Sequence, residues 1–167
     1  MAGALTIRRA TLEDLPAIGA IYDDAVLKTT ATFDTEPRTA ERHRLWFEAH
    51  KEPKHPVLAA ESGGRVIGWA SLSSWSDRCA YDETAEDSIY IAEEARGRGA
   101  GKALLAELLA QGRAAGLRTV LARITGESEA SIRLHESFGF VRVGVMRQVG
   151  RKFGRLLDVS MYQLLWP

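Results

Sequence analysis

Apolar residues recur along this chain with two periods, and the switches between them mark out its elements. Leu104, Leu105, Leu108 and Leu109 fall at i, i+1, i+4 and i+5, which gathers them on one side of a helix. Val141, Val143 and Val145 instead alternate with other residues, the period of a strand. Read in this way, the chain opens with a strand at residues 5–9. Thr11, with Asp14 three residues on, is an N-cap signature for a helix running to Leu27. A loop follows over 29–37, and Thr39 starts a second helix carrying Leu45, Trp46 and Phe47, ended before Pro53 and Pro56. Apolar runs at 57–61 and 66–73 are joined by Ser62-Gly63-Gly64, a hairpin signal. Residues 75–84 are polar loop, and the strand at 86–91 leads into a helix over 101–115 that Gly116 stops. Residues 119–124 form a further strand, 130–138 a short helix closed by Gly139, and 141–145 with 158–165 a final strand pair.

The order βααβββαβαββ predicts an α/β fold: a mixed sheet with helices on both faces. No repeat, low-complexity tract or linker divides the chain, so residues 1–167 are expected to form a single domain. With 46% hydrophobic and 26% charged residues, the composition fits a soluble globular chain. Lys plus Arg equals Asp plus Glu at 22 each, so no net field attracts nucleic acid or an anionic membrane. Cys79 is the one cysteine, which excludes an intrachain disulfide and fits a reducing compartment. The first 15 residues lack the apolar core of a signal peptide, and no apolar run approaches a membrane span. A cytoplasmic protein is therefore expected.

Candidate chemistry concentrates at residues 96–102, Arg-Gly-Arg-Gly-Ala-Gly-Lys, between the strand 86–91 and the leucine-rich helix. A helix start presents backbone N–H groups without internal partners and the positive end of the helix dipole, an anion site. Gly97, Gly99 and Gly101 would let the main chain approach a phosphate closely, since no Cβ intervenes. Two familiar phosphate motifs fail. A mononucleotide P-loop needs four residues before its Gly-Lys pair and then Ser or Thr, whereas three precede Gly101 and Ala103 follows Lys102. The dinucleotide fingerprint needs one more residue than this turn supplies.

The pattern that fits is Arg-x-x-Gly-x-Gly, with Arg96, Gly99 and Gly101. It resembles the pyrophosphate loop of the GNAT superfamily of acetyl-CoA-dependent N-acetyltransferases, and the element order is similar over essentially the whole chain. Within that superfamily the chain looks like the phosphinothricin / methionine sulfoximine (methionine sulfone) acetyltransferase branch. The resemblance rests on Thr30-x-x-Phe33-x-x-x-Pro37 and on Arg78-x-Ala80-Tyr81-Asp82-x-Thr84-Ala85-Glu86-x-Ser88-Ile89-Tyr90. It also rests on Ser131-x-x-x-His135-Glu136-x-x-Gly139-Phe140 and on Val149-Gly150-x-Lys152-Phe153-Gly154-x-x-x-Asp158.

This resemblance implies a fold in which two central parallel strands splay apart near the glycine loop. The pantetheine arm of acetyl-CoA would lie in the gap, against the main chain of Ile89, Tyr90 and Ile91. Its pyrophosphate would meet Arg96, Gly97, Arg98, Gly99, Ala100, Gly101 and Lys102. Ser128 stands where the family usually has Asn for the pantetheine arm, and Ser137 is a further contact by the same analogy. Glu86 is implied as the acceptor of the substrate ammonium's proton, a step the chemistry requires because R–NH₃⁺ has no lone pair. Asp82, Glu83 and Asp87 are rival carboxylates. His135 is either an acid–base group near neutral pH or a packed structural histidine.

For a small amino-acid acceptor, Arg78 is the expected carboxylate partner, with Phe33, Trp75 and Tyr81 as walls and Ser76, Asp77, Asp87 and Ser88 beside them. The resemblance further implies that Lys152 and Phe153 of a neighbouring subunit complete the pocket, hence a homodimer. Leu156 departs from a Trp frequent at that position. No metal ligand set is assigned. The leading expectation is acetyl transfer to the α-amino group of an amino acid such as phosphinothricin, methionine sulfoximine or methionine sulfone. Protein N-acetylation and a non-catalytic acyl-CoA sensor are the alternatives.

Overall fold

A computed structural model of the chain describes residues 3–125 and 128–167. The strand β1 (Leu5–Arg9) leads through a 3₁₀ turn into α1 (Leu15–Lys28), and α2 is Ala40–Glu48. Then come β2 (Val57–Ser62), β3 (Arg65–Ser74), β4 (Thr84–Ile91), α3 (Ala100–Ala114), β5 (Thr119–Thr125), α4 (Glu129–Glu136), β6 (Val141–Lys152) and β7 (Arg155–Leu165). The expected βααβββαβαββ order is the one observed; most ends shift by a residue or two, but β6 continues seven residues past the expected 145 and β7 begins three before the expected 158.

The strands form one seven-stranded sheet in the order β1-β2-β3-β4-β5-β7-β6. Strand alternation divides its side chains between two faces. Val57 and Trp69 point to α1, where Ile18, Tyr22 and Val26 meet them. Leu58, Ala70 and Leu72 point to α3, where Leu104, Leu105, Leu108 and Leu109 cover them. Leu104, Leu105 and Leu108 are 0% exposed, and each contributes roughly 1.5–3 kcal/mol by its burial. Gly116, at φ +95°, ends α3: its N–H reaches the Arg113 carbonyl while Leu117 N–H reaches that of Gly112. This 6→1 closure needs a left-handed residue at that point, as the glycine stop implied.

One departure from regular pairing creates the site. The strands β4 and β5 are parallel and pair only through Thr84, Ala85 and Glu86, opposite Thr119, Val120 and Leu121. Beyond Glu86 they diverge. Across the gap β4 remains bonded to β3 as far as Ile91, and β5 to β7 as far as Thr125. Main-chain groups of β4 on the β5 side are therefore left without a strand partner. No helix among the described residues is long and apolar enough to cross a membrane.

Candidate active site

A cavity of about 520 Å³ runs through the gap and is lined from both faces of the sheet. Alternation along β4 sorts its groups. Glu86, Ser88 and Tyr90 face the α1 side, where the cavity wall continues with Tyr22, Phe33, Asp34, Arg38 and Arg123. Asp87 and Ile89 face the α3 side, together with Ser128, Ser131 and His135 of the α4 segment. A ligand threading the gap would meet one set of chemistry on each face.

Glu86 is the last β4 residue paired to β5. Both its oxygens are engaged by Arg123, with Nε at 2.5 Å from Oε1 and Nη2 at 2.7 Å from Oε2. The Arg123 guanidinium also lies 5.9 Å from the Trp75 ring centroid. Half of the Arg123 side chain is open to solvent, so this pair contributes only about 0–1 kcal/mol. Its importance is placement: a carboxylate and a guanidinium side by side at the mouth of the gap.

On the opposite face, His135 is 4% exposed and both ring nitrogens have partners. Nε2 lies 2.8 Å from Asp87 Oδ2, and Nδ1 2.7 Å from the Ser131 carbonyl oxygen. A carbonyl only accepts, and an ionised carboxylate only accepts, so a doubly protonated ring satisfies both. Burial opposes that charge, but the hydrogen bond and charge of Asp87 and the Ser131 carbonyl outweigh it, raising the His135 pKa above its ordinary value. The Ser131 hydroxyl is 3.3 Å from Nδ1, farther than the carbonyl that already occupies this nitrogen. Ser131, His135 and Asp87 therefore do not form a nucleophilic triad, which needs a free ring nitrogen to accept the serine proton.

The α1-side wall is a fixed polar network. Tyr22 O–H donates to Asp34 Oδ2 at 2.7 Å, and Arg38 reaches both Asp34 and the Tyr22 oxygen at 3.1 Å. Burial pushes the Tyr22 hydroxyl up to about 12. Burial would also raise the Asp34 carboxyl, but Tyr22 and Arg38 together hold it below the ordinary range. The rest of this side is apolar: Phe33, Met146, Val149 and Val159, with Thr125 among them. Met146 and Val149 share the cavity because β6 bulges, placing the four steps from Met146 to Gly150 opposite the two from Val159 to Leu157. Gln148 takes φ +52° inside the bulge, where Asp158 accepts its N–H at 2.7 Å.

At the far end of β4, the glycine turn has the conformation its sequence implied. Gly97 and Gly99 sit at φ +73° and +87°, with nothing within 4 Å of an added Cβ. Gly99 is the N-cap of α3, so the amides of Ala100, Gly101 and Lys102 begin the helix without partners behind them. The Ala100 side chain is core, leaving only its main chain for a ligand. Arg96 closes the turn by donating from Nε to the Ile91 carbonyl at 3.2 Å. Ile89 and Ile91 direct their side chains into the α3 core, and the Tyr90 ring stacks on Trp69 at 4.9 Å. All three consequently offer the gap their main chain, the contact expected for a pantetheine arm. Bare amides at the turn and unpaired strand edge beside it fit a pyrophosphate with an extended amide-bearing tail.

Several expected acceptor contacts lie elsewhere. Ser76, Asp77, Arg78 and Tyr81 do not line the cavity. Ser76 accepts the Arg78 N–H with its hydroxyl, Tyr81 belongs to a 3₁₀ turn, and Arg78 is exposed. Trp75 also stays outside the lining and approaches through Arg123. Ser137 donates its hydroxyl to the Leu134 carbonyl at 2.7 Å and is likewise outside it. Lys152 reaches into its own chain, donating to the Thr32 carbonyl at 2.8 Å, and burial lowers its pKa against the opposing charge of Asp34. Phe153, at φ +50° on the β6–β7 turn, projects outward. Among the described residues no cluster of His, Cys, Asp and Glu is grouped as a metal site.

Residues 19–140 match the Acetyltransferase (GNAT) family. The chain belongs to that family. Among GNAT relatives, the L-methionine sulfoximine/L-methionine sulfone acetyltransferase of Pseudomonas paraeruginosa is 41% identical over 160 residues, covering 95% of this chain and 93% of that protein. The crystal structure of a GNAT superfamily phosphinothricin acetyltransferase from Sinorhizobium meliloti in complex with acetyl-CoA superposes with a TM-score of 0.93 at 40% identity, over 96% and 88% of the two chains. That of ribosomal-protein-alanine N-acetyltransferase from Brucella melitensis gives 0.93 at 40% identity, over 96% and 99%.

Sequence reasoning missed Arg123, Thr125 and the Tyr22–Asp34–Arg38 network. Arg123 had a signal of its own, a charge inside the apolar run Val120-Leu121-Ala122-Arg123-Ile124 of a central strand.

Proposed function

We propose that the protein transfers the acetyl group of acetyl-CoA to the α-amino group of a small amino acid such as methionine sulfone, methionine sulfoximine or phosphinothricin. The observation that carries this reading is the cavity through the β4–β5 gap, with Glu86 at its mouth on the α1 side and the glycine cradle at the end of the same strand. Acetyl-CoA supplies an activated acetyl thioester. The chain supplies the rest. Glu86 accepts the proton of the acceptor ammonium, directly or through water, and so creates the attacking lone pair; a positioned base of this kind contributes about 10²–10⁴-fold. The thiolate leaves on the opposite face of the sheet, where His135, both ring nitrogens engaged by Asp87 and the Ser131 carbonyl, anchors the wall of the gap.

The acceptor wall supports a substrate with an apolar arm ending in an oxygen. Phe33, Met146, Val149 and Val159 suit methylene groups, and Thr125 beside them, whose buried hydroxyl has no protein partner among the described residues, gives the wall a polar point. We read residues 1–167 as one acetyltransferase domain acting as a homodimer in the cytoplasm, with no nucleic-acid or membrane partner. In support, Val141, Val143 and Val149 of the edge strand β6 are more than half exposed, an apolar edge that a second copy would cover. Cys79 is exposed and unpaired, as suits a reducing compartment.

Thiol release from acetyl-CoA in the presence of an amine panel tests the reading. Release with free amino acids of the sulfone, sulfoximine or phosphinate class is expected. Release with peptides alone would favour a protein N-acetyltransferase, the activity named for the Brucella protein, and the absence of release with every amine a non-catalytic sensor.

A further inference from the structure

We propose that Arg123 holds the α-carboxylate of the acceptor amino acid, and that the Glu86–Arg123 pair is the complement of the acceptor's zwitterion. The inference rests on the amino-acid acceptor reading and assigns the carboxylate contact to a residue that lines the cavity, which Arg78 does not. An α-amino acid brings an ammonium and a carboxylate two bonds apart on one carbon. The mouth of the gap presents the matching charges, a carboxylate and a guanidinium in bidentate contact at 2.5 and 2.7 Å.

The strands set this match. Glu86 is opposite Leu121, and Arg123 lies two residues further on the same face of β5, where the strand has begun to diverge. Its guanidinium therefore reaches back across the opening. Of the cations in the cavity wall, Arg38 is committed to Asp34 and Tyr22, and His135 faces the other side of the sheet with Asp87. Arg123 has Glu86 as its ion-pair partner, and half of its side chain is solvent-exposed. An ion pair so exposed is weakly favourable, and exchanging it for two new pairs with a zwitterion keeps every charge matched. In that exchange the ammonium moves to Glu86, the group that takes its proton, and the carboxylate moves to Arg123. Trp75, under the guanidinium, limits how far Arg123 travels.

Initial rates with methionine sulfone and with its carboxamide, in the wild type, Arg123→Met and Arg123→Lys, test the assignment. The wild type is expected to favour the free acid by about 10²-fold in kcat/KM. Arg123→Met should raise KM for the acid by about tenfold more than KM for the amide and bring the preference near unity. Arg123→Lys should retain an intermediate preference, since an ammonium offers charge without the bidentate fork. An acid preference surviving in Arg123→Met overturns the proposal. So does a parallel loss for both acceptors, which is what a residue that merely holds Glu86 would give. A wild type that acetylates neither compound overturns the acceptor reading itself, and is recognised before any variant is measured.

Discussion

Glu86 and His135, on opposite faces of the sheet, differ in how their partners enclose them. Glu86 is the last β4 residue paired to β5, and its carboxylate is held by a half-exposed arginine. His135 is enclosed, and its charge is held by Asp87 and the Ser131 carbonyl. A histidine whose folded pKa lies above its unfolded value adds stability that is complete below the unfolded value, near 6.5, and is lost as pH rises through the folded value. The gap in unfolding free energy between the wild type and His135→Gln should therefore be widest in mild acid and narrow toward alkaline pH. Denaturant titrations across that range measure it, and a gap that widens with pH would contradict the assigned charge. Arg123 was legible as an anomaly, a charge within an apolar strand. Its partner was not, because the sequence does not say where β4 and β5 part.

At the level of elements, periodicity and caps gave the number and order of helices and strands, since most local signals agreed with the final packing. The bulge in β6 was not readable in this way. Alternation at Val141, Val143 and Val145 predicts a regular strand, yet the strand gains residues after Met146, and Asp158 on β7 holds the extra turn. That partner comes from another strand and leaves no local trace. The bulge carries Gly150 against Phe33, whose ring would lie 2.2 Å from an added Cβ. Gly150 is not in the left-handed region, so alanine meets the ring rather than a backbone penalty. Gly150→Ala is expected to displace Phe33 and raise the acceptor KM by about tenfold with acetyl-CoA affinity unchanged. Steady-state rates paired with calorimetry decide it, and an unaltered acceptor KM would remove Phe33 from the pocket wall.

For the molecule as a whole, one sheet carries the β4–β5 gap at its centre and an apolar strand at its edge. The outward placement of Phe153 and the exposed valines of β6 belong to the same edge. In the dimer reading, Val143→Lys should convert a species near twice 18.4 kDa to one of single-chain mass in sedimentation velocity. A wild type that already sediments as a single chain would contradict that reading. The loop bearing Arg78 could be identified from its motif, but that Arg78 stays outside the cavity lining was not readable from the sequence, because the lining depends on where β4 and β5 part.

The central claim is that acetyl transfer occurs through the β4–β5 gap with Glu86 removing the amine's proton. Glu86→Gln tests it most directly, with acetyl-CoA affinity measured by calorimetry and turnover with methionine sulfone measured on the same protein. Binding equal to the wild type, with kcat lower by about 10²-fold or more, is the predicted result. Turnover that persists, or affinity for acetyl-CoA that falls in step with it, would contradict the account.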